Sequence, residues 1–433
     1  MRLAVMGMGY LGATHAACMA EFGHEVLGVE ADSARLDKLR MGEVPFYEPD
    51  LTELLRKHIE SGQLQVTDSY EMAAAWGDVF FIAVGTPQKR GEPGADLSYV
   101  DSVIDELVPQ LRRDAVILGK STVPVGTAQR LSERADELAK DILVEIAWNP
   151  EFLREGYAVQ DTLHPDRLVL GQLSGGKAET VAREIYAPVI AEDTPFIVTD
   201  TATAELVKVS ANAFLATKIS FINAIAEVCT AAGADVTAVA DAIGYDARIG
   251  RKFLNAGIGF GGGCLPKDIR AFMARAGELG ASEALTFLRE VDNVNMRRRT
   301  RMVEVARAAC GGSLLGARVA ILGAAFKPES DDVRDSPALN VAGQIQLQGA
   351  SVTVYDPKAI PNSRTIFPTL GYADSAMTAC ERADVILVLT EWPEFVELDP
   401  RALGKVVSRR VVVDGRLCLD RALWQLSGWE YCC

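Results

Sequence analysis

Through the first 200 residues, short apolar runs rich in β-branched residues alternate with stretches whose apolar positions recur every three to four residues. The runs are Leu3 to Met6, Glu25 to Val29, Val79 to Val84, Ala115 to Gly119 and Leu143 to Ala147. Strands alternating in this way with helical patterns predict a parallel, doubly wound sheet. From about Thr201 to Ala276 the pattern becomes mainly helical, and apolar and small residues at helical spacing through Glu205 to Ala231 predict one long helix joining two domains. Strand-like runs return at Arg318 to Leu322, Ser351 to Tyr355, Val385 to Leu389 and Val411 to Val413, which predicts a second, smaller α/β domain. The two halves look alike in architecture, each having an early strand that ends in glycine, without a sequence repeat strong enough to mark a duplication.

A length of 433 residues exceeds what one core usually covers, in keeping with that division. With 49% hydrophobic and 24% charged residues the chain has the make-up of a globular protein, neither disordered nor fibrous. A net charge of -15 and the lack of any long basic run exclude nucleic acid as a partner. No apolar run of about 18 residues is seen, so no membrane span is expected. Met1 to Ala20 combines Arg2, an apolar stretch and small residues, yet it reads as strand, glycine turn and helix start rather than a signal peptide, and a cytoplasmic protein is expected. Eight cysteines without CxxC pairs argue against a disulfide framework or a zinc site, and no metal is expected. Most of them are expected to be buried thiols, and Cys432 and Cys433 to lie in a disordered end.

Directly after the first run, Gly7, Gly9 and Gly12 form GxGxxG in VMGMGYLG, and Glu30 ends the next run. The first glycine permits a tight turn, the second lets a pyrophosphate approach the backbone, and the third lets helix and strand pack closely. A carboxylate at Glu30 can accept hydrogen bonds from both adenosine ribose hydroxyls and would repel a 2′-phosphate, so the cofactor expected is NAD rather than NADP. Arg35 can be a surface helix residue, an adenine-side contact or a phosphate ligand.

Gly257 to Asp268 read GIGFGGGCLPKD, placing Cys264 after what looks like a flexible glycine run and just before Pro266, at a helix start. A helix N-terminus and the neighbouring Lys267 both favour thiolate, the form that attacks carbonyls. Asp268, four residues on, can reach back over the same face to orient a water or ammonium. Lys208 and Asn212 share a face of the long helix: the amine can take a proton or stabilise an oxyanion while the amide donates to the same oxygen. Without a substrate, Lys208 can equally pair with Glu205 or Glu227 on a solvated face.

Taken together, GMGYLG, FIAVGTP, KSTVPVGT, NPEFLREG, KVSANAFLATKISFIN, GFGGGCLPKD and GAAFKPESDDVRDSPA resemble the UDP-glucose/GDP-mannose dehydrogenase family over nearly the full length, and RIGRKFLNAGIGFGG resembles its UDP-glucose branch. The resemblance implies two Rossmann-like domains joined by a long central helix and a helical dimerisation segment. The implied division is 1–200 for NAD, 201–300 for a central helical dimerisation domain and 301–433 for the nucleotide-sugar, in a homodimer. It further implies a four-electron oxidation of a sugar C6 alcohol with two NAD, through a thiohemiacetal and a thioester on Cys264. UDP-glucose is the expected substrate, with dTDP-glucose, GDP-mannose or a UDP-N-acetylhexosamine open to the same chemistry.

By the same resemblance Lys208, Asn212 and Asp268 handle protons and the oxyanion, and Thr122 and Glu151 place the hydrolytic water. Tyr10, Leu11, Thr86, Ser121, Thr122, Glu155, Lys267 and Arg334 fall on the cofactor side. Glu151, Phe152, Leu153, Arg154, Phe253, Leu254, Gly261, Phe326, Lys327 and Arg416 hold the nucleotide-sugar, and Arg248 reaches a neighbouring subunit's substrate. One departure is Gly263, where the family commonly has serine before the nucleophile; rate rather than reaction type hangs on it. Two rival readings are a two-electron β-hydroxyacid-type dehydrogenase, which would leave Cys264 idle, and a non-catalytic NAD-binding scaffold.

Overall fold

The computed structural model describes residues 1–173 and 175–433. The chain packs as two compact units, residues 1–211 with 270–280 and residues 212–269 with 281–433.

The first unit is built on eight strands, β1 (Arg2–Met6), β2 (Glu25–Val29), β3 (Leu64–Thr67), β4 (Val79–Ile82), β5 (Ala115–Gly119), β6 (Val144–Trp148), β7 (Leu168–Gly171) and β8 (Phe196–Thr199), in the order β3-β2-β1-β4-β5-β6-β7-β8. Their side chains alternate between two cores, Leu3 and Val5 on one face and Ala4 and Met6 on the other. A sheet covered on both faces is apolar on both, which is why its central strands β1, β4 and β5 read as unbroken or nearly unbroken apolar runs. The sheet is parallel except where β6 meets β7 antiparallel at Trp148 and Gly171, a correction to the all-parallel expectation. The connection from β6 to β7, residues 149–167, carries a loop and then a short helix (Ala158–Leu163).

Helix α1 (Tyr10–Glu21) follows the glycine turn and stops before Gly23, which takes a φ of +92°. Helix α2 (Thr201–Ala232) is opened by Asp200, whose carboxylate accepts from the Thr203 amide at 2.8 Å and hydroxyl at 2.7 Å. By length and composition α2 could cross a membrane. The sequence reading overlooked this because Ser, Asn, Thr and Lys interrupt its apolar residues. It also buries Glu205, Lys208 and Asn212, a polar load met within protein.

The second unit contains β9 (Arg318–Leu322), β10 (Ser351–Tyr355), β11 (Gly371–Tyr372), β12 (Val385–Val388), β13 (Val411–Asp414) and β14 (Glu430–Cys432), all parallel, in the order β11-β10-β9-β12-β13-β14. That order repeats the first six strands of the first sheet. The first five residues of helix α3 (Leu265–Glu278) belong to this unit, as do helices α4 (Thr286–Ala309) and α5 (Pro337–Leu347). Two expectations fail here. The end of the chain is ordered, Cys432 pairing with Val413 in the sheet, because Trp424 and Trp429 bury themselves beneath it and anchor the final strand. Only Cys18, Cys229 and Cys380 are buried thiols, since the other five sit at helix ends, loops or the sheet edge.

Candidate active site

In the first unit two of the three motif glycines, Gly7 and Gly12, stand where a larger residue would collide. A Cβ on Gly12 would stand 1.8 Å from the Gly7 carbonyl oxygen, and Gly7 itself takes a φ of +91°. A Cβ on Gly9 would meet nothing within 4 Å, so the turn is open on the side a pyrophosphate would approach. Glu30 is buried at the end of β2 and accepts from the Met8 amide at 3.2 Å, the Asp32 amide at 2.9 Å and the Arg35 guanidinium at 3.0 Å. A carboxylate offers about four acceptor sites, so capacity remains for a hydroxyl. Arg35 is thus a partner of Glu30.

Past β4 and β5 the loops are tied together: Thr86 donates to the Thr122 carbonyl at 2.7 Å and Ser121 to the Val84 carbonyl at 2.7 Å. The Tyr10 hydroxyl donates to Glu48, whose carboxylate also accepts from the Gly156 and Ala158 amides, each at 2.6 Å. Glu48 therefore joins the start of α1 to the loop after β6, and Glu155 on that loop lies close enough to help raise the Tyr10 phenol, though burial is the larger cause. That loop also carries Glu151, which pairs with Lys208 at 3.0 Å. Lys208 is buried, so the solvated pairing with Glu205 or Glu227 is not the one formed. Glu205 instead accepts from the Gly126 and Ala128 amides at 2.6 and 2.7 Å, and burial pushes its carboxyl up to about 7.

In the second unit Cys264 is exposed and caps α3, its carbonyl accepting from the Asp268 amide at 3.0 Å. Asp268 is buried and accepts from the Asn212 amide at 2.6 Å and the Lys267 ammonium at 2.6 Å. The glycines before Cys264 are close-packed rather than flexible. A Cβ on Gly261 would lie 2.4 Å from the Asp335 carbonyl oxygen, one on Gly262 2.9 Å from the Phe326 ring, and one on Gly263 2.2 Å from the Arg334 guanidinium carbon. The Gly262 amide donates to the Arg334 carbonyl at 2.9 Å, seating the cysteine loop on the segment from 326 to 337. The missing serine at 263 thus makes room for Arg334.

This arrangement has counterparts among known proteins. Residues 1–190, 202–297 and 320–421 match the NAD binding, central and UDP binding domains of the UDP-glucose/GDP-mannose dehydrogenase family. The chain belongs to that family. It is 42% identical to UDP-glucose 6-dehydrogenase of Rhizobium meliloti (strain 1021), over 96% of this chain and 95% of the relative. It is 40% identical to UDP-glucose 6-dehydrogenase of Pseudomonas aeruginosa, over 96% and 93%. A solved UDP-glucose dehydrogenase from Pyrobaculum islandicum superposes with a TM-score of 0.90 at 37% identity, covering 98% of this chain and 95% of that one.

For a dehydrogenase of this family, the turn at Gly7 to Gly12 with Glu30 fits NAD on geometry: open backbone above Gly9 and a buried carboxylate with acceptor capacity. Among the residues assigned to the nucleotide-sugar, Arg416 donates to the carbonyls of Leu389 at 2.8 Å, Gly259 at 3.1 Å and Phe326 at 3.1 Å, fixing three loops of the second unit. The Lys327 ammonium stands 5.7 Å from the Phe326 ring, Leu254 is buried, and Phe253 takes a φ of +65°. In the first unit the Phe152 ring holds Arg167 at 3.8 Å and Lys208 at 5.6 Å, the Leu153 amide donates to Glu151 at 2.6 Å, and Arg154 donates to Asp161 through its amide, Nε and Nη2. Arg248 is highly exposed and pairs with Asp246 in its own loop. Sequence reasoning missed Glu48 and the buried cluster in which the Lys120 ammonium and the Tyr186 hydroxyl both donate to Asn149 Oδ1, at 3.0 and 2.7 Å. The motifs KSTVP and NPEF contained Lys120 and Asn149, but no spacing rule joins residues so far apart.

Proposed function

We propose that this dehydrogenase oxidises the C6 alcohol of UDP-glucose to the carboxylate of UDP-glucuronate, reducing two NAD and consuming one water. The observation that carries the reading is the pairing of full-length similarity to UDP-glucose 6-dehydrogenases with an exposed Cys264 at the head of α3, beside a buried Asn212–Asp268 bond. Bound NAD would accept a hydride in each oxidation. The chain's own groups do the rest. Lys208, held by Glu151, takes up the alcohol proton or steadies the alkoxide in the first step. Cys264 Sγ then bonds to the aldehyde carbon, giving a thiohemiacetal whose oxygen receives the Asn212 amide while Asp268 fixes that amide's orientation. The second oxidation leaves a thioester, and a water placed by Thr122 and Glu151 adds to its carbonyl and expels the Cys264 thiolate. A helix N-terminus stabilises that thiolate both as nucleophile and as leaving group.

The remaining site residues keep their assignments in this reading. Gly7, Gly9, Tyr10, Leu11, Gly12, Glu30, Arg35, Thr86, Ser121, Glu155, Lys267 and Arg334 serve NAD, and the loops of Phe326, Lys327 and Arg416 serve the nucleotide. The functional division is 1–200, 201–300 and 301–433, in a cytoplasmic homodimer. The test is NADH formed per sugar with limiting UDP-glucose and excess NAD, in wild type and Cys264→Ser. Two NADH per sugar, lost in the variant, is the expected result. One per sugar, unchanged by the substitution, would sink the covalent route, and none at all would move the search to UDP-N-acetylhexosamines, the substrate class of a Pyrococcus horikoshii dehydrogenase that superposes with a TM-score of 0.86 at 27% identity.

A further inference from the structure

Lys120, the residue after β5, is buried in the first unit with an ammonium that, among the described residues, no carboxylate neutralises at bonding distance. Its Nζ donates to Asn149 Oδ1 at 3.0 Å and to the Tyr186 hydroxyl at 3.2 Å. Tyr186 in turn donates to the same Asn149 oxygen at 2.7 Å, and the Asn149 amide donates to the Val169 carbonyl at 2.7 Å. Every polar atom of the Asn149 side chain is thereby fixed, and two residues further on stands Glu151 with its 3.0 Å pair to Lys208. Burying an ammonium against neutral acceptors is unfavourable, and a glutamine would make similar bonds without that penalty. A charge kept at such expense beside a reactive pair is a mark of function.

We propose that Lys120 is a positioning residue of the alcohol-oxidising site: through Asn149 it fixes the turn that carries Glu151, and its charge adds a second cation to the Glu151–Lys208 pair where alkoxide forms. This rests on the reading given under Proposed function. The charged and titratable groups around Lys120 are Glu151, which favours its charged form, Lys208, which opposes it, Tyr186, and His15 on α1, which burial and the Lys120 charge keep neutral. Burial brings the Lys120 ammonium down to about 8. Raising the pH through that value removes the second cation while the Asn149 contact persists.

The experiment is the pH profile of kcat with UDP-glucose and NAD for wild type, Lys120→Met and Lys120→Arg, with melting curves on each. Wild type is expected to fall as pH rises through about 8. Lys120→Arg, whose cation does not titrate, keeps activity without the fall. Lys120→Met is slower by a factor on the order of 30, with a flat profile and KM changed less than about threefold. Should the arginine not fold, Lys120→Gln serves in its place and is expected to be slow and flat. A wild-type fall that persists in Lys120→Arg or Lys120→Gln, or a Lys120→Met within twofold of wild type, overturns the proposal. If wild type does not oxidise UDP-glucose, the functional reading fails and the proposal is decided by melting temperatures of Lys120→Met, Glu151→Gln and the double variant. Losses that are non-additive by about 2 °C at pH 6.5 and additive at pH 9.5 support it, and additivity at both pH values overturns it.

Discussion

The two sheets share one strand order, yet they use the same topological position in opposite ways. In each, the first strand ends in a left-handed glycine, Gly7 at a φ of +91° and Gly323 at +108°, and the second is followed by a buried acid, Glu30 or Asp356. Glu30 accepts two amides and Arg35 and retains acceptor capacity. Asp356 is saturated: it accepts from the amides of Ala324, Ala325, Lys358 and Ala359 and from the Trp392 indole. The crossing to the next helix differs to match. Three residues separate β1 from α1, whereas in the second sheet a long segment carrying Phe326, Lys327 and Arg334 intervenes before α5. One architecture thus supplies a dinucleotide turn in the first unit and, in the second, an internal staple supporting a loop. What distinguishes them is whether the carboxylate has acceptor capacity left.

Removing the two acids should break the comparison most visibly. Asp356→Ala strands several buried donors and is expected to cost about 3 to 5 kcal/mol, read as a fall in melting temperature in the absence of NAD. Equal destabilisation by Glu30→Ala would erase the distinction. Next comes Gly12→Ala, whose methyl would stand 1.8 Å from the Gly7 oxygen. It should lower stability and abolish measurable NAD binding together. Glu30→Ala and Gly9→Ala are expected to weaken NAD about tenfold, or about 1.4 kcal/mol by calorimetry, with smaller shifts in melting temperature than Asp356→Ala.

A fourth effect is confined to the first unit, where two buried groups titrate with opposite sign. Glu205, raised from 4.5 to about 7, stabilises the fold fully below 4.5 and loses that contribution as pH climbs through 7. Lys120, lowered from 10.5 to about 8, burdens the fold below 8, and the burden lifts between 8 and 10.5. Glu205→Gln should flatten the decline of melting temperature between pH 4.5 and 7 and leave the alkaline rise intact. The smallest change belongs to Gly263→Ser. Its side chain would push aside only the tip of the Arg334 side chain, so kcat/KM should drop a few-fold, and a 100-fold loss would show that the Arg334 seat matters far more than steric displacement implies.

Nine strands were visible along the chain because sheets buried on both faces write themselves as apolar runs. The five overlooked were β3, β7, β8, β11 and β14, where mixed polarity, brevity or an edge position weakens that signal. The glycine motif, Glu30 and the Cys264 segment were equally legible, since each depends on local backbone demands and neighbouring residues. Tertiary structure alone decided which of these side chains meet: Lys208 with Glu151 rather than Glu205, Asp268 with Asn212, Lys120 with Asn149 and Tyr186, and Glu48 with Tyr10 and the loop after β6. Those partners lie tens of residues apart, and only sheet register and helix packing bring them within a hydrogen bond's length. It likewise turned the glycines before Cys264 from an apparent source of freedom into a close-packed seat, because a residue without a side chain looks alike in sequence whether it serves motion or contact.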